Sequence, residues 1–238
     1  MSGDRLLGGR VVLRQPERGL RAGLDAVMLA AAVPAHPGET VLEAGTGTGA
    51  AILCLMARVP ALTGIAVERD PELAELARAN AAANRAALTV IEGDIADRRI
   101  RDGLPRCHHA FANPPYWPGG TRPPEALRAA ATHADRVPLG AWAAFCAAPL
   151  GHRGSVTLIL PAARLSEGMA ALRAAGCGAL TLLPLWPRAG TAAKRVILSG
   201  RRGARGPDRL LPGLVLHAGS GWTAEAEAVL RDAAALAP

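Results

Sequence analysis

The chain has 238 residues, half of them hydrophobic, with a mean hydropathy of +0.18 and a formal net charge of +7, which excludes an intrinsically disordered protein and allows a sizeable core. No apolar run reaches the ~18 residues of a membrane span. The start MSGDRLLGGR also lacks the apolar segment of a secretion signal, so we expect a cytoplasmic protein without membrane attachment. The four cysteines form no CxxC pair and no zinc-type spacing with histidine, which predicts that there is no metal site.

The first half of the chain alternates apolar strand-like runs with alanine-rich helical segments, which is typical of a parallel α/β sheet. The predicted elements of this half are strands at 39–45, 62–70, 87–94 and 107–113, and helices at 50–59 and 71–84. The second half continues with helices at 139–150, 162–176 and 223–237, and with strands at 154–161, 179–187 and 193–202. The last two strands are joined without room for a crossover helix, so we expect them to pair antiparallel.

These elements predict an α/β fold built on one seven-stranded, mostly parallel sheet with an antiparallel last strand and helices on both faces. No composition shift marks a domain boundary. The chain is therefore expected to form a single domain over 1–238, with 1–38 as an N-terminal segment and 39–238 as the core. The segment 114–138 is rich in proline and glycine and opens without periodicity, which predicts a loop.

A glycine-rich turn follows the first predicted strand. In VLEAGTGTGA, Gly45, Gly47 and Gly49 stand between a strand and a helix. Their missing side chains let backbone N–H groups approach a ligand at the positive end of that helix. The same letters also fit the dinucleotide-binding fingerprint, with Ala50 as its last member. The pattern favours a nucleoside-containing cofactor over the alternative of a tight structural turn.

Acidic residues end the strands that follow this turn. Glu68 ends the second predicted strand, roughly 20 residues further on, where a carboxylate binds a pair of ribose hydroxyls. Asp94 ends the third predicted strand, where it is suitably placed to meet the edge of an adenine ring. Glu43, inside the end of the first strand, either caps the amides of the loop or reaches the ligand indirectly, and both interpretations stay open.

The stretch FANPPYW follows the fourth predicted strand, at the sheet edge where open α/β sheets bind ligands, and it contains the only tyrosine of the chain. Asn113 precedes a proline, which restricts its backbone to extended geometry. The two prolines remove two N–H donors. The Asn113 side-chain oxygen and the Pro114 carbonyl are then suited to accept both N–H bonds of an exocyclic amine. Tyr116 is suited to stack on the ring, which contributes ~1–3 kcal/mol per base.

The chemistry of such a site follows from the amine. An aromatic amine is a poor nucleophile because its lone pair is delocalised into the ring. When two acceptors of the site bind both of its hydrogens, the nitrogen tends to become pyramidal and its lone pair points at an electrophile. Catalysis in such a site therefore comes from alignment and electrostatics. No strong general base is needed before attack, since the nitrogen becomes positively charged as it attacks and loses a proton afterwards.

VLEAGTGTG and FANPPYW together resemble the class I methyltransferases that modify exocyclic or amide nitrogens through an Asn-Pro-Pro-Tyr motif. Segments 7–34 and 184–203 are similar to the tRNA1(Val) adenine-N6 methyltransferase group, so the resemblance spans nearly the whole chain. It implies a Rossmann-like fold and S-adenosyl-L-methionine as the cofactor. In that group a helix start like the one at Asp25 borders the cofactor pocket. The predicted cofactor contacts are Asp25, Glu43, Gly45, Gly47, Gly49, Glu68, Asp94 and Asn113, and the predicted catalytic residues are Asn113, Pro114 and Tyr116.

Arginines cluster near both ends of the chain, where they are suited to bind the phosphates of tRNA or another structured RNA. The other interpretation is a set of solvated loops in an arginine-biased proteome, since Lys194 is the only lysine. The first cluster contains Arg5, Arg10, Arg14, Arg18 and Arg21, and the second contains Lys194, Arg195, Arg201, Arg202, Arg205 and Arg209.

The motifs specify the chemistry more sharply than the substrate. We expect an N-methyltransferase that modifies N6 of an adenosine in tRNA. Glutamine-N5 methyltransferases acting on release factors and guanine-N2 RNA methyltransferases use similar turns and stay open as alternatives. A dinucleotide oxidoreductase and a non-catalytic RNA-binding module are the alternatives from other functional classes.

Overall fold

The computed structural model describes residues 2–16, 23–115 and 137–236. The predicted loop at 114–138 therefore lies almost wholly outside the described residues. Tyr116 and Trp117 lie outside them as well, so the stacking role of Tyr116 stays a prediction.

The described residues form twelve strands, seven α-helices and two short 3₁₀ helices. The strands are β1 (Ser2–Leu6), β2 (Val11–Gln15), β3 (Thr40–Ala44), β4 (Thr63–Glu68), β5 (Leu88–Glu92), β6 (Cys107–Ala112), β7 (Leu150–Pro161), β8 (Cys177–Arg188), β9 (Arg195–Arg202), β10 (Arg209–Leu210), β11 (Leu214–Ala218) and β12 (Gly221–Trp222). The helices are α1 (Leu24–Ala32), α2 (Ala50–Arg58), α3 (Pro71–Ala83), α4 (Arg98–Asp102), α5 (Leu139–Ala147), α6 (Leu165–Ala174) and α7 (Ala224–Asp232). No helix in this part of the chain is long and apolar enough to cross a membrane.

Ten of the strands form one sheet, in the order β5-β4-β3-β6-β7-β9-β8-β11-β12, with β10 also paired to β8. Neighbouring strands are parallel except at β9, which runs antiparallel to β7 and β8, and at β12, which runs antiparallel to β11. The chain enters the sheet at β3, moves outward to β5 and crosses back to β6. The topological switch point therefore lies between β3 and β6, as in Rossmann-like folds.

The seven predicted strands are all present in this sheet, and the last two of them pair antiparallel, which confirms the predicted α/β fold. The sheet differs from the prediction at one edge, where β10, β11 and β12 bring it to ten strands. β10 and β12 have two residues each, which is too short for a pattern of alternating residues to show. β11 was missed because it pairs with β8 across the intervening sequence of β9 and so has no hairpin signal.

Helices cover both faces of the sheet, as predicted. On one face, α1, α2 and α7 share an apolar core that includes Phe111, Ile159 and Ile197. On the other face, α5 and α6 pack in a second core that includes Leu158 and Leu198. Consecutive residues such as Leu158 and Ile159 enter different cores because successive side chains of a strand point to opposite faces.

Two asparagines of α3 fasten the N-terminal hairpin of β1 and β2 to the rest of the fold. The Asn84 side chain accepts a hydrogen bond from the N–H of Val12 at 2.9 Å and donates one to its carbonyl at 2.7 Å. Asn80, one helical turn earlier, makes the same pair of bonds with Arg14, at 2.8 and 3.0 Å. The two amides thereby take the place of a further strand beside β2 and satisfy its unpaired edge.

We expect Asn80→Ala to lower the free energy of unfolding by about 1–3 kcal/mol, because it removes the partners of polar groups that are partly or wholly buried. Asn84→Ala is the matched control. Its bonds to Val12 are exposed, so its loss should stay below about 1 kcal/mol. Urea denaturation measures both losses, and equal values would contradict a special role for Asn80.

Candidate active site

The carboxyl ends of β3, β4, β5 and β6 form one edge of the sheet, and most of the predicted site residues follow these ends. Gly45 continues from β3, and Asn113 continues from β6. The last residues of these two strands, Ala44 and Ala112, are paired in register. The glycine turn and the Asn-Pro-Pro turn therefore leave the sheet from neighbouring strands, about 5 Å apart. Both lie at the switch point, where open α/β sheets bind ligands.

The glycine turn combines a packed position with an open one. Gly45 and Gly47 have φ values of +65° and +57°, which favour glycine. A Cβ atom at Gly45 would lie 2.5 Å from the ring of Trp142 in α5, so packing alone requires glycine there. A Cβ atom at Gly47 would meet no described atom within 4 Å. Gly47 therefore presents bare backbone to open space, while Gly49 caps the start of α2.

Glu68 lies against the glycine turn at the end of β4. One carboxylate oxygen accepts the N–H of Gly47 at 2.7 Å, and the other accepts the N–H of Asp70 at 3.0 Å. The residue is buried in the fold. Because each carboxylate oxygen has two lone pairs, each keeps one acceptor site beyond its backbone bond. This arrangement positions the carboxylate beside the bare backbone of Gly47.

Glu43 lies beneath the glycine turn and is bonded to it. Its Oε2 accepts the hydroxyl of Thr46 at 2.6 Å and the N–H of Ile52, in the first turn of α2, at 3.0 Å. Burial raises the pKa of the Glu43 carboxyl to about 8, although these two hydrogen bonds act in the opposite direction. These contacts fasten the turn to the start of α2, through a hydroxyl of the turn and an amide of the helix. The two interpretations of Glu43, as a cap of the loop and as an indirect contact of the ligand, both stay predictions.

Asp94 follows β5 at the same edge of the sheet. One of its carboxylate oxygens accepts the N–H of Ala96 at 2.8 Å, which holds the chain in a tight turn after the strand. The turn is tied to β4, since the N–H of Gly93 donates to the carbonyl of Glu68 at 2.8 Å. Asp94 is half-buried and lies one strand further from the switch point than Glu68, as expected for the far end of a nucleoside.

Asp25 is in the first turn of α1 and pairs with an arginine from the other end of the chain. The Nε of Arg195 donates to its carboxylate at 3.0 Å. Arg195 begins β9 and is paired in register with Pro161, the last residue of β7, so the ion pair lies at the carboxyl edge. Arg201 lies near the opposite end of β9, about 20 Å away. The second arginine cluster of the sequence is therefore divided between two edges of the sheet.

Asn113 and Pro114 stand immediately after β6, with Asn113 half-buried and Pro114 buried. The side chain of Asn113 therefore keeps some exposure beside the glycine turn. The third predicted catalytic residue, Tyr116, lies outside the described residues.

Asn80 also contributes to the site, although the sequence analysis did not predict it. Besides its bonds to Arg14, its amide donates to the carbonyl of Thr48 in the glycine turn at 2.9 Å. The side chain is wholly buried, so one amide joins the hairpin, α3 and the turn. The signal in the sequence was an asparagine on the buried face of an alanine-rich helix, in LARANAAAN, where a polar side chain needs partners.

Within the described ranges, no three His, Cys, Asp or Glu side chains are grouped closely enough to hold a metal ion. All four cysteines are buried free thiols. Burial raises the pKa of Cys54 to about 12 and that of Cys107 to about 11. These two thiols are therefore poor nucleophiles at neutral pH.

The chain is similar to several known proteins. A tRNA1(Val) (adenine(37)-N6)-methyltransferase of Aeromonas hydrophila is 32% identical over 206 residues, which cover 85% of this chain and 84% of that protein. A protein of the same name from Porphyromonas gingivalis is 33% identical over 156 residues, 62% of this chain, and the match spans only 61% of that relative's length. A solved structure described as a "predicted O-methyltransferase" of Agrobacterium tumefaciens has a TM-score of 0.73 and 27% identity, covering 90% of this chain and 99% of that chain. No protein-family profile matches the chain.

The raised pKa of Glu43 predicts a pH-dependent contribution to stability. Between the ordinary value of 4.5 and about 8, this carboxyl is ionised in the unfolded chain and protonated in the folded one. Its contribution therefore falls as the pH rises through that window, by about 1.4 kcal/mol per pH unit at most. We expect the stability difference between the wild type and Glu43→Gln, measured by urea denaturation from pH 5 to pH 8, to shift steadily against the wild type. A difference that does not change with pH would show that Glu43 ionises normally.

Proposed function

Because the chain belongs to the tRNA1(Val) (adenine(37)-N6)-methyltransferase family, we propose that it transfers a methyl group from S-adenosyl-L-methionine to the exocyclic N6 of an adenine in tRNA. The names of the relatives favour this substrate over a release-factor glutamine or a guanine N2. We also propose that residues 1–238 form one catalytic domain and that the protein is located in the cytoplasm, where it would encounter tRNA.

The observation that supports the proposal most directly is the register of β3 with β6. Since Ala44 pairs with Ala112, the turn suited to a nucleoside cofactor and the turn suited to an exocyclic amine start from adjacent strands. A methyl transfer needs donor and acceptor held within about 3–3.5 Å in line. Two turns on neighbouring strands of a rigid sheet are a suitable way to hold them.

At Gly47 the cradle is open, since a Cβ atom there would meet no described atom within 4 Å, and this space is suited to S-adenosyl-L-methionine. When bound, this cofactor supplies a methyl group carried on a positively charged sulfur. Gly47 would allow close approach of the backbone, and Glu68 would accept the ribose hydroxyls with its remaining lone pairs. Asp94 would meet the adenine edge, and Asp25 would border the pocket from the start of α1. Glu43 and Asn80 would act by holding the turn in shape.

The target amine would be held by Asn113 and Pro114. The Asn113 side-chain oxygen and the Pro114 carbonyl would each accept one N–H of the amine, which orients the nitrogen lone pair toward the methyl donor. The rigid prolines keep these acceptors in place without reorganisation during the reaction. The nitrogen loses its proton after the transfer, so no group within the motif needs to act as a strong base. Stacking by Tyr116 belongs to the same proposal.

We expect Asn113→Ala to lower kcat for tRNA methylation by on the order of 10²–10³-fold, because it removes an acceptor that aligns the reacting nitrogen. Asn84→Ala, the same chemical change at the C-terminal end of α3, should keep near-normal kcat. Transfer of labelled methyl groups to total tRNA measures both. Label that enters release factor but not tRNA would contradict the adenine proposal and support the glutamine alternative.

We expect Gly47→Ala to weaken binding of S-adenosyl-L-methionine at least tenfold, because the added methyl group enters the open cradle. Gly38→Ala is the matched control, since Gly38 also has a positive φ, +85°, and no described atom within 4 Å of its Cβ position. Both variants carry the same kind of backbone strain, about 1–2 kcal/mol. Calorimetry measures the affinity and thermal unfolding measures the strain. Equal affinities in the two variants would place the cofactor elsewhere.

A further inference from the structure

A cleft of about 520 Å³ lies at the amino edge of the sheet, opposite the edge that carries the glycine turn. Its walls come from the starts of β7 and β8, the end of β9 and the segment 203–209. Pro34, just beyond the end of α1, closes one side. We call this the arginine cleft, after the side chains described below.

The floor of the arginine cleft carries hydroxyl groups. Thr157, Ser199 and Thr181 form one register row across β7, β9 and β8, so their side chains share a face of the sheet. Ser199 and Thr181 line the cleft. Thr157 is wholly buried, and within the described chain its Oγ1 has no hydrogen-bond partner. Thr157 is not among the lining residues, so the polar character of the floor comes from Ser199 and Thr181. Their hydroxyls favour a polar occupant over an apolar one.

The rim of the cleft is cationic. Four exposed arginines line it: Arg153, Arg201, Arg205 and Arg209. Arg209 donates to the hydroxyl of Thr181 at 3.2 Å. For the other three, no side-chain hydrogen bond or ion pair is formed with any described residue. No Asp or Glu is among the described lining residues.

Other arginines of the fold have acidic partners. Asp208 lies in the segment that borders the cleft, but its carboxylate pairs with Arg173 and accepts the N–H of Leu180. At the carboxyl edge, Arg195 is paired with Asp25. The guanidinium groups of the cleft therefore keep a positive charge that the described residues around them do not neutralise.

Guanidinium groups above a row of hydroxyls are suited to phosphate, because the planar fork of arginine matches phosphate oxygens and the hydroxyls donate further bonds. The described lining residues of the cleft include no Phe, Tyr or Trp. The one ring among them, that of His152, lies beside Gly203, so the cleft has no large platform for stacking a base. This combination favours the sugar-phosphate backbone over a free nucleotide. The contact would fix the position of a nucleic acid without reading its sequence.

We propose that the arginine cleft binds the phosphodiester backbone of the RNA whose base is methylated at the opposite edge. This inference rests on the proposed function for the identity of the RNA. The two edges are about 20 Å apart along β9, a distance that a folded RNA spans easily. The cleft would then provide affinity for the RNA and orient it, while the site at the carboxyl edge selects the base that is methylated.

The test compares two double variants of the full chain. Arg201→Gln with Arg205→Gln removes two unpaired charges of the cleft. Arg78→Gln with Arg231→Gln removes the same charge from a half-buried and an exposed helix position, which are paired with Glu75 and Glu227. Fluorescence anisotropy gives the Kd for tRNA at several salt concentrations, and calorimetry with S-adenosyl-L-methionine reports whether the other edge is intact.

We expect the cleft variant to bind tRNA at least tenfold more weakly. Its slope of log affinity against log salt should be shallower by about 1.4–1.8, the value for two lost phosphate contacts. Its KM for tRNA should rise by the same factor, with kcat and cofactor affinity unchanged. Wild-type affinity and slope in the cleft variant, or an equal loss in the control, would overturn the proposal. If the wild type binds tRNA through the cleft but methylates no adenine, the proposed function fails and the cleft stands.

Discussion

Strands β3 and β6 are hydrogen-bonded neighbours, although β4, β5 and three helices lie between them in the chain. This pairing holds the glycine turn beside the Asn-Pro-Pro turn, and the geometry of the candidate site depends on it. Five parallel strands and the antiparallel β9 form a stiff support on which both turns are short extensions. A site on such a support needs little rearrangement before reaction, which is what catalysis by alignment requires.

The conformation of the glycine turn is stabilised by buried polar side chains from other parts of the fold. Glu43 bonds the turn and the first turn of α2, Glu68 bonds the amide of Gly47, and Asn80 bonds the carbonyl of Thr48. Each of these side chains is buried and would be costly to leave without its partners. Together they explain how a turn with three glycines keeps one conformation.

The sequence predicted the seven main strands and the fold, because alternation of apolar runs with alanine-rich helices is a strong local signal. It also indicated Gly45, Glu68 and Asn113 as residues at the carboxyl ends of strands. It did not indicate the partners of Asp25 and Asn80, since these contacts join distant segments. The arginines of 194–209 looked like one cluster because sequence distance hides the direction of a strand, and β9 carries them to different edges.

The direction and length of β9 have a consequence for how this protein can vary. Arg195, Ile197, Ser199 and Arg201 alternate with residues of the other core, so all four point to the same face. Inserting or deleting one residue between Arg195 and Arg201 would reverse the facing of one part of the strand relative to the other, so the two guanidinium groups could no longer share a face. A change in the number of residues of β9 would therefore separate the ion pair at the carboxyl edge from the face that carries the arginine cleft.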